Sequence, residues 1–403
     1  YEDSGLQSFT STGDIYCLFY ERGHQLLKAD GHLCYITSNK WMRAAYGEKL
    51  RTFLSSKTNP LLLIDFAGVK VFESATVDTN ILLFEKAKNA HHTICAATSK
   101  QNRDSLKNLS VFVQQQGTFC DFSGGDSWVI LSPIEQSIKK KIEAVRTPLK
   151  DWDININRGV LTGYNDAFII TTSKRDEILS NCQNEDERKR TAELIRPILR
   201  GRDIKRYGYE WADLWLINTH NGVKGRIPRI RVEDYPAIKA HLDQFWDKIK
   251  DRADQGDTPY NLRNCAYLED FFQPKIVYGQ FQDGAEYSFA ESGVFLSSNE
   301  YMLITQHYSS KCLLAFLNSK VSEWLLGHIT GNLGCNAKIG QKSNFLKLSI
   351  AQLNVERQKL FEGYVDSILG NIEDAKNYEA LIDREIYKVY GLTVDEIKVI
   401  ESQ

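Results

Sequence analysis

The stretch GDIYCLFYERGHQLLKADGHLCYITSNKWM, from Gly13 to Met42, changes its apolar period halfway along, and that change constrains the fold more than any other feature. Ile15, Leu18, Phe19, Leu26 and Leu27 recur at helical spacing, with Asp14 placed to cap the start. The triplet ADG then ends the helix, and the run Leu33 to Ile36 reads as a strand. A second helix, YGEKLRTFLSS, precedes the strands LLLIDFAG and TNILLFEKA, which GVKVFESATVDTN joins in the manner of a hairpin. Strands alternating with helices imply an α/β sheet.

Beyond about Ser99 the texture is different. Polar spacing (SKQNRDSLKNLS), glycine-rich turns (FSGGDSW) and short predicted strands, WVILS, AFIITT, LWLIN and KIVYGQF, are interrupted by helices such as VEDYPAIKAHLDQFWDKIKDRA. RTAELIRPILRG reads as a helix broken by Pro197 and ended at Gly201. This portion is a mixed α+β domain. The last fifty residues return to helix, with Leu353, Leu360, Phe361, Tyr364, Val365, Ile368, Leu369 and Ile372 forming one apolar stripe. The stripe packs on its own protein or makes a seam for self-association.

No apolar run approaches the ~20 residues that cross a bilayer, so no membrane is expected as a partner. The eight cysteines contain no C-x-x-C pair, which argues against zinc ribbons and disulfide frameworks and places the chain in a reducing cytoplasm. YEDSGLQSFTSTGD at the start lacks both an initiator methionine and a signal peptide, and the chain is expected to be part of a longer protein. Formal net charge is only -2, yet from Arg188 to Arg231 twelve Lys or Arg face four carboxylates, a local +8. Such a concentration is the electrostatic footprint of nucleic acid, or a solvated basic face.

Phosphate-loop, dinucleotide-fingerprint, zincin and nucleophile-elbow motifs are all missing. His91 and His92 are adjacent on a strand end and point to opposite faces, so no metal site is expected. Glu396 and Lys398 have the E-x-K spacing of some nucleases, but on an amphipathic helix they read as a surface pair.

TGDIYCLFYERGHQLLKADGHLCYITSNKWMRAAYGEKLRTFL resembles the segment that follows the Asn-Pro-Pro-Tyr motif in gamma-class adenine-N6 DNA methyltransferases, especially those fused in type IIG restriction-modification enzymes. WDININRGVLTGYNDAFIITTSKR, LIRPILRGRDIKRYGYEW, PKIVYGQF and DREIYKVYGLTVDEIKVIE resemble, in the same order, the target-recognition region and C-terminal end of that family. The resemblance implies a partial, Rossmann-like α/β methyltransferase portion (1–99), a connector (100–150), an α+β target-recognition domain (151–350) and a helical C-terminal segment (351–403). It implies double-stranded DNA as partner and S-adenosylmethionine as cofactor of the parent enzyme. The cofactor site and Asn-Pro-Pro-Tyr loop would lie upstream of Tyr1, and Mg would enter only with an upstream nuclease domain. The fragment alone would then be inactive.

The same resemblance puts Phe72 where the family stacks an aromatic ring on a flipped target base; a buried strand-end aromatic is the plain alternative. Base stacking on an aromatic replaces the lost stack for roughly 1 to 3 kcal/mol. Asn39 and Lys40 could touch DNA after their strand, and loop capping explains Asn39 equally well. Arg196, Arg200, Arg202, Lys205 and Arg206, with Lys224, Arg226, Arg229 and Arg231 twenty residues later, suit phosphate contacts. Asn165, Gln280 and Gln282 have the amides that read adenine, although Asn165 also suits a turn. The leading reading is sequence-specific DNA binding within an adenine methyltransferase; the alternatives are a non-catalytic specificity subunit akin to those of type I systems and a free-standing nuclease.

Overall fold

The computed structural model of the 403-residue chain describes residues 5–66, 69–72, 77–98, 107–280, 286–330, 345–346, 348–371 and 374–402. The chain divides into two compact units, the first formed by Tyr1–Lys141, Gly327–Leu333 and Thr393–Ser402, the second by most of the remainder.

In the first unit, α1 (Tyr16–Leu26) leads into β1 (His32–Ser38), and α2 (Glu48–Lys57) into β2 (Asn59–Asp65). Then follow β3 (Thr79–Glu85), β4 (Thr93–Ala97), α3 (Leu109–Gln116) and β5 (Thr118–Cys120). The five strands form one sheet in the order β1-β3-β2-β4-β5. Only β2 and β4 run parallel; β3 is antiparallel to both β1 and β2. β2 and β3 are thus the expected hairpin, and the sheet is mixed. Tyr20, Trp41, Leu50, Leu54, Leu63, Leu82 and Phe84 are fully buried in its core.

Two local expectations fail here. The N-cap of α1 is Ile15 and makes no side-chain cap bond, so Asp14 does not cap. WVILS pairs with no strand. Its Trp128 is buried instead, ring centroid 4.3 Å from Phe122 and backbone N–H donating to the Met42 carbonyl at 2.7 Å, so side-chain burial decides where a ladder was expected.

α4 (Pro133–Ala144) and β6 (Arg146–Pro148) open the passage to the second unit, which continues with β7 (Ile154–Arg158), α5 (Asn165–Phe168), β8 (Ile169–Thr171), α6 (Thr172–Ser180), α7 (Glu185–Leu194), β9 (Ile195–Leu199) and β10 (Leu214–Ile217). Helices α8 (Pro236–Asp243) and α9 (Trp246–Ile249) precede β11 (Lys275–Gly279), β12 (Tyr287–Ala290), β13 (Phe295–Leu296) and β14 (Glu300–Thr305). Proline at the first position of α8 explains where that helix starts. Two four-stranded sheets result, β13-β9-β10-β8 and β12-β11-β14-β7. One continuous core, including Phe168, Ile198, Leu216, Ile238, Val277, Phe295 and Met302, joins them.

The helix expected to run through Pro197 ends at Leu194, and residues 195–199 are β9. Pro197 faces Trp215 of β10, while β13 reaches only Ile198 and Leu199. At Pro197 the ladder therefore has a partner strand on one side, where a missing N–H is tolerated.

The unit closes with α10 (Ser310–Leu317), α11 (Lys320–Thr330) as far as Leu326, β15 (Ser349–Ala351), which pairs with β6, α12 (Val355–Gly370) and α13 (Ala375–Val389); the end of α11 and α14 (Val394–Glu401) belong to the first unit. On α12 the inner stripe, Phe361, Val365 and Ile368, is buried, and the Phe361 ring lies 5.3 Å from Phe316 of α10. Leu360 and Leu369 are exposed, and Ile372 lies outside the described residues. The stripe packs on its own unit. Among the described residues no helix is long and apolar enough to cross a membrane.

Candidate nucleic-acid interface

Phe72 lies in the connection between β2 and β3 and is 46% exposed, so the buried-aromatic alternative does not hold. Both bases of that connection are pinned. At the end of β2 the buried Asp65 carboxylate accepts from Asn39 Nδ2 and Arg43 Nη2, each at 2.8 Å. Across it, Asn39 N–H donates to the Asp78 carbonyl at 3.0 Å and Phe66 N–H to the Thr79 carbonyl at 2.9 Å. This turns Asn39 toward the capping alternative: at 7% exposure, with its Nδ2 on Asp65, it organises the connection. Lys40 is exposed, two residues beyond the Ser38 hydroxyl that accepts its backbone N–H.

The basic window separates into cations that hold the fold and cations that face solvent. Arg196 lies on β9 with its guanidinium 5.2 Å from the Phe272 ring centroid. Arg200 grips the buried Asp203 with two side-chain bonds, at 2.9 and 3.1 Å. Arg206 donates to Glu379 at 2.9 Å and to the Asn318 carbonyl at 2.6 Å, which ties the 200s loop to the helical end of the unit. Arg200 and Arg206 are therefore structural groups. Arg202 and Lys205 are exposed and adjacent, Lys205 Nζ donating to the Arg202 carbonyl at 3.0 Å.

Lys224, Arg226, Arg229 and Arg231 sit on a tight loop whose turns need Gly222 and Gly225 at positive φ. At Gly222 the space is also closed, since an added Cβ would lie 2.4 Å from the Ile227 carbonyl oxygen. All four cations are exposed; Arg226 pairs with Glu269, and Arg229 with Asp257 at 3.2 Å. Among the described residues Arg202, Lys205, Lys224 and Arg231 have no carboxylate partner. Exposed pairs such as Arg226–Glu269 are worth little and can reopen for a phosphate.

Of the candidate base readers, exposed Asn165 starts α5 and accepts from the Thr162 hydroxyl at 2.5 Å, after Gly163 at positive φ. That is the turn role. Gln280 follows β11, its backbone N–H bonded to the Asn299 carbonyl at 2.9 Å, and Gln282 lies outside the described residues.

The remaining motifs resolve differently. His91 Nδ1 lies 2.7 Å from Asp121, whereas His92 stacks on Phe119 at 3.9 Å, so the two rings have separate surroundings. Among the described residues no three His, Cys, Asp or Glu gather as a metal site. Glu396 is 3% exposed: it closes a capping box with Thr393, pairs with Lys141 at 2.7 Å and accepts from Ser137. Burial alone would raise its carboxyl, but Lys141 and the Thr393 and Ser137 donors hold it at about 2. Lys398 pairs with Asp395, so the E-x-K spacing makes no nuclease centre. Sequence reading missed Arg43, because its partner Asp65 is 22 residues away and no local pattern links them.

Comparison with known proteins supplies the rest. Residues 1–72 match the Eco57I restriction-modification methylase family, and residues 196–354 the TaqI-like C-terminal specificity domain. The chain is 21% identical to the type II methyltransferase M.BstVI of Geobacillus stearothermophilus over 96% of its own length and 69% of the relative's. It is 20% identical to the type II methyltransferase M.PaeR7I of Pseudomonas aeruginosa, over 98% and 67%. To the type II restriction enzyme and methyltransferase RM.Eco57I of Escherichia coli it is 25% identical, spanning 77% of this chain but 34% of that protein. Among solved structures, the type IIL restriction-modification enzyme MmeI in complex with DNA matches with a TM-score of 0.54 at 11% identity, over 99% of this chain and 53% of that one. The chain thus spans about half of that solved enzyme, and the likeness concerns its fold.

Proposed function

We propose that this chain, related to type II restriction-modification methyltransferases and carrying a TaqI-like specificity domain, is the DNA-recognition portion of an enzyme that methylates adenine N6. The observation that carries this reading is the coincidence of the specificity-domain match, residues 196–354, with the exposed cations Arg202, Lys205, Lys224 and Arg231. Long cations on loops give affinity and register on a phosphate backbone without reading sequence. In the first unit the exposed Phe72, on a connection braced at both ends, suits an aromatic that stacks on an extruded base. S-adenosylmethionine would supply the methyl group, and none of the residues described above is assigned to hold it. The four-part division into partial methyltransferase, connector, recognition domain and helical end, and bacterial cytoplasmic defence as the setting, belong to the same proposal.

Fluorescence anisotropy with duplex DNA across a salt series tests it. Affinity is expected to fall with a log-log slope of about -0.9 per phosphate neutralised. Arg202→Ala and Lys224→Ala should each lower that slope by about 1 and weaken all sequences alike. Binding indifferent to salt, or to both substitutions, would sink the proposal.

A further inference from the structure

The turn beside Arg202 and Lys205 is held in a strained backbone conformation. Between the 3-10 turn Gly201–Asp203 and β10, Ile204 bridges Tyr209, Lys205 N–H donates to the Gly208 carbonyl at 3.0 Å and Gly208 N–H to the Arg206 carbonyl at 2.8 Å. Tyr207, in the middle, has φ +65°, a left-handed value that disfavours any residue with a Cβ. Such strain persists only where the surroundings over-determine it. Here they do. Tyr207 is 2% exposed, its N–H donates to the Tyr287 carbonyl at 2.8 Å, and its carbonyl accepts from Phe289 N–H at 2.7 Å, both on β12.

Arg206, one residue before, adds a second anchor. Its Nε donates to Glu379 of α13 at 2.9 Å and its Nη2 to the Asn318 carbonyl at 2.6 Å. The Asn318 side chain is itself clamped on Tyr287, accepting its N–H at 3.0 Å and donating to its carbonyl at 2.8 Å. Both anchors of the turn therefore meet at Tyr287. Arg202 and Lys205, by contrast, are exposed, have no carboxylate partner among the described residues, and are joined by the bond from Lys205 Nζ to the Arg202 carbonyl. Long cations lose rotamer freedom when a phosphate orders them, and a backbone fixed beforehand leaves less to lose.

We propose that Glu379 is a positioning residue for DNA binding: through Arg206 it holds the turn so that Arg202 and Lys205 present their charges together to a phosphate backbone. An acidic side chain thereby strengthens the grip on a polyanion, although its own charge repels one. The inference rests on the DNA-recognition reading, and it adds to that reading a residue of the helical end of the unit. Charge and reach make opposite demands on Glu379, which makes the role testable.

Anisotropy of the whole chain with duplex DNA across a salt series tests it. Glu379→Asp keeps the charge but withdraws the carboxylate from Arg206 by one methylene, whereas Glu379→Gln keeps the reach and removes the charge. If Glu379 acted by charge alone, the first variant would bind like wild type and the second more tightly, since one repulsive charge is gone. Positioning predicts the reverse. Glu379→Asp should bind at least about twofold more weakly, with a log-log slope smaller by up to about 2, the share of Arg202 and Lys205, and Glu379→Gln should weaken binding less. In a background carrying both Arg202→Ala and Lys205→Ala the effect of Glu379→Asp should vanish, because no cation is left to position; a loss caused only by a weaker fold would persist there. Glu379→Asp binding like wild type, or a loss that persists in that background, overturns the proposal. Should Glu379→Asp not fold, Glu379→Gln carries the decision: weaker binding supports positioning, and tighter or unchanged binding overturns it. Wild-type binding is a separate readout. A wild type without salt-dependent duplex binding sinks the DNA-recognition reading, whereas a binding wild type with an inert Glu379→Asp sinks the positioning role alone.

Discussion

A single guanidinium shows how the second unit is held. Arg252, 6% exposed, donates to the carbonyls of Thr162 (2.7 Å), Asp254 (3.2 Å), Pro259 (3.1 Å) and Asn261, and its Cζ lies 4.4 Å from the Phe168 ring centroid. Burial lowers its pKa to about 10, which still leaves it charged at neutral pH. Arg252→Ala leaves several buried carbonyls without donors and is expected to cost about 3 kcal/mol or more in urea unfolding. Arg252→Lys should rescue only part of this, because an ammonium cannot reproduce the planar fork. The same contrast separates the cations of the 196–231 window. Arg206→Ala should lower stability, since Glu379 loses its partner, whereas Arg202→Ala should leave the unfolding midpoint unchanged and weaken DNA binding. Equal unfolding curves for the two variants would refute that division.

At the scale of elements, α14 is fastened to α4 by Glu396. Its folded-state pKa, about 2, lies below the ordinary 4.5, so the stabilisation is fully present above pH 4.5 and is lost as pH falls from there toward 2. Acid unfolding monitored by circular dichroism is expected to show wild type more stable than Glu396→Gln above pH 4.5, with the difference shrinking toward pH 2. A constant gap would place the origin elsewhere than in the Glu396 charge. Helix α12 makes a second test. Phe361→Ala, which opens a cavity against Phe316, should cost about 3 to 5 kcal/mol, while Leu360→Lys on the exposed side should stay within about 0.5 kcal/mol. Sedimentation of Leu360→Lys beside wild type checks self-association: a shift to smaller species would show that the outer stripe is a seam after all.

Across the whole molecule, formal charge overstates the electrostatic footprint. Of the nine cations from Arg196 to Arg231 singled out for phosphate, four are bound to carboxylates, and Arg196 lies over a phenyl ring. The salt dependence of duplex binding by this loop system should therefore reflect about four neutralised phosphates rather than nine. A slope near nine would mean that the paired arginines turn outward on DNA.

Period and punctuation were enough to place the helix-strand alternation of residues 16–97, the hairpin carrying Phe72, strands β10 and β11 and the closing helices, because each follows from local apolar spacing and turn residues. Local order also sufficed for the family resemblance, since its blocks are contiguous in sequence. Decisions that required distant partners could not be read that way. Whether 195–199 is helix or strand depends on β10 and β13 offering an edge. Whether Asn39 faces DNA or Asp65 depends on β2 arriving 26 residues later. Whether Glu396 is a catalytic group or a tether depends on Lys141, 255 residues before it. Hydrogen bonds and ion pairs are short-ranged in space and indifferent to separation along the chain, so only the tertiary structure decided which polar groups are taken by partners within the chain.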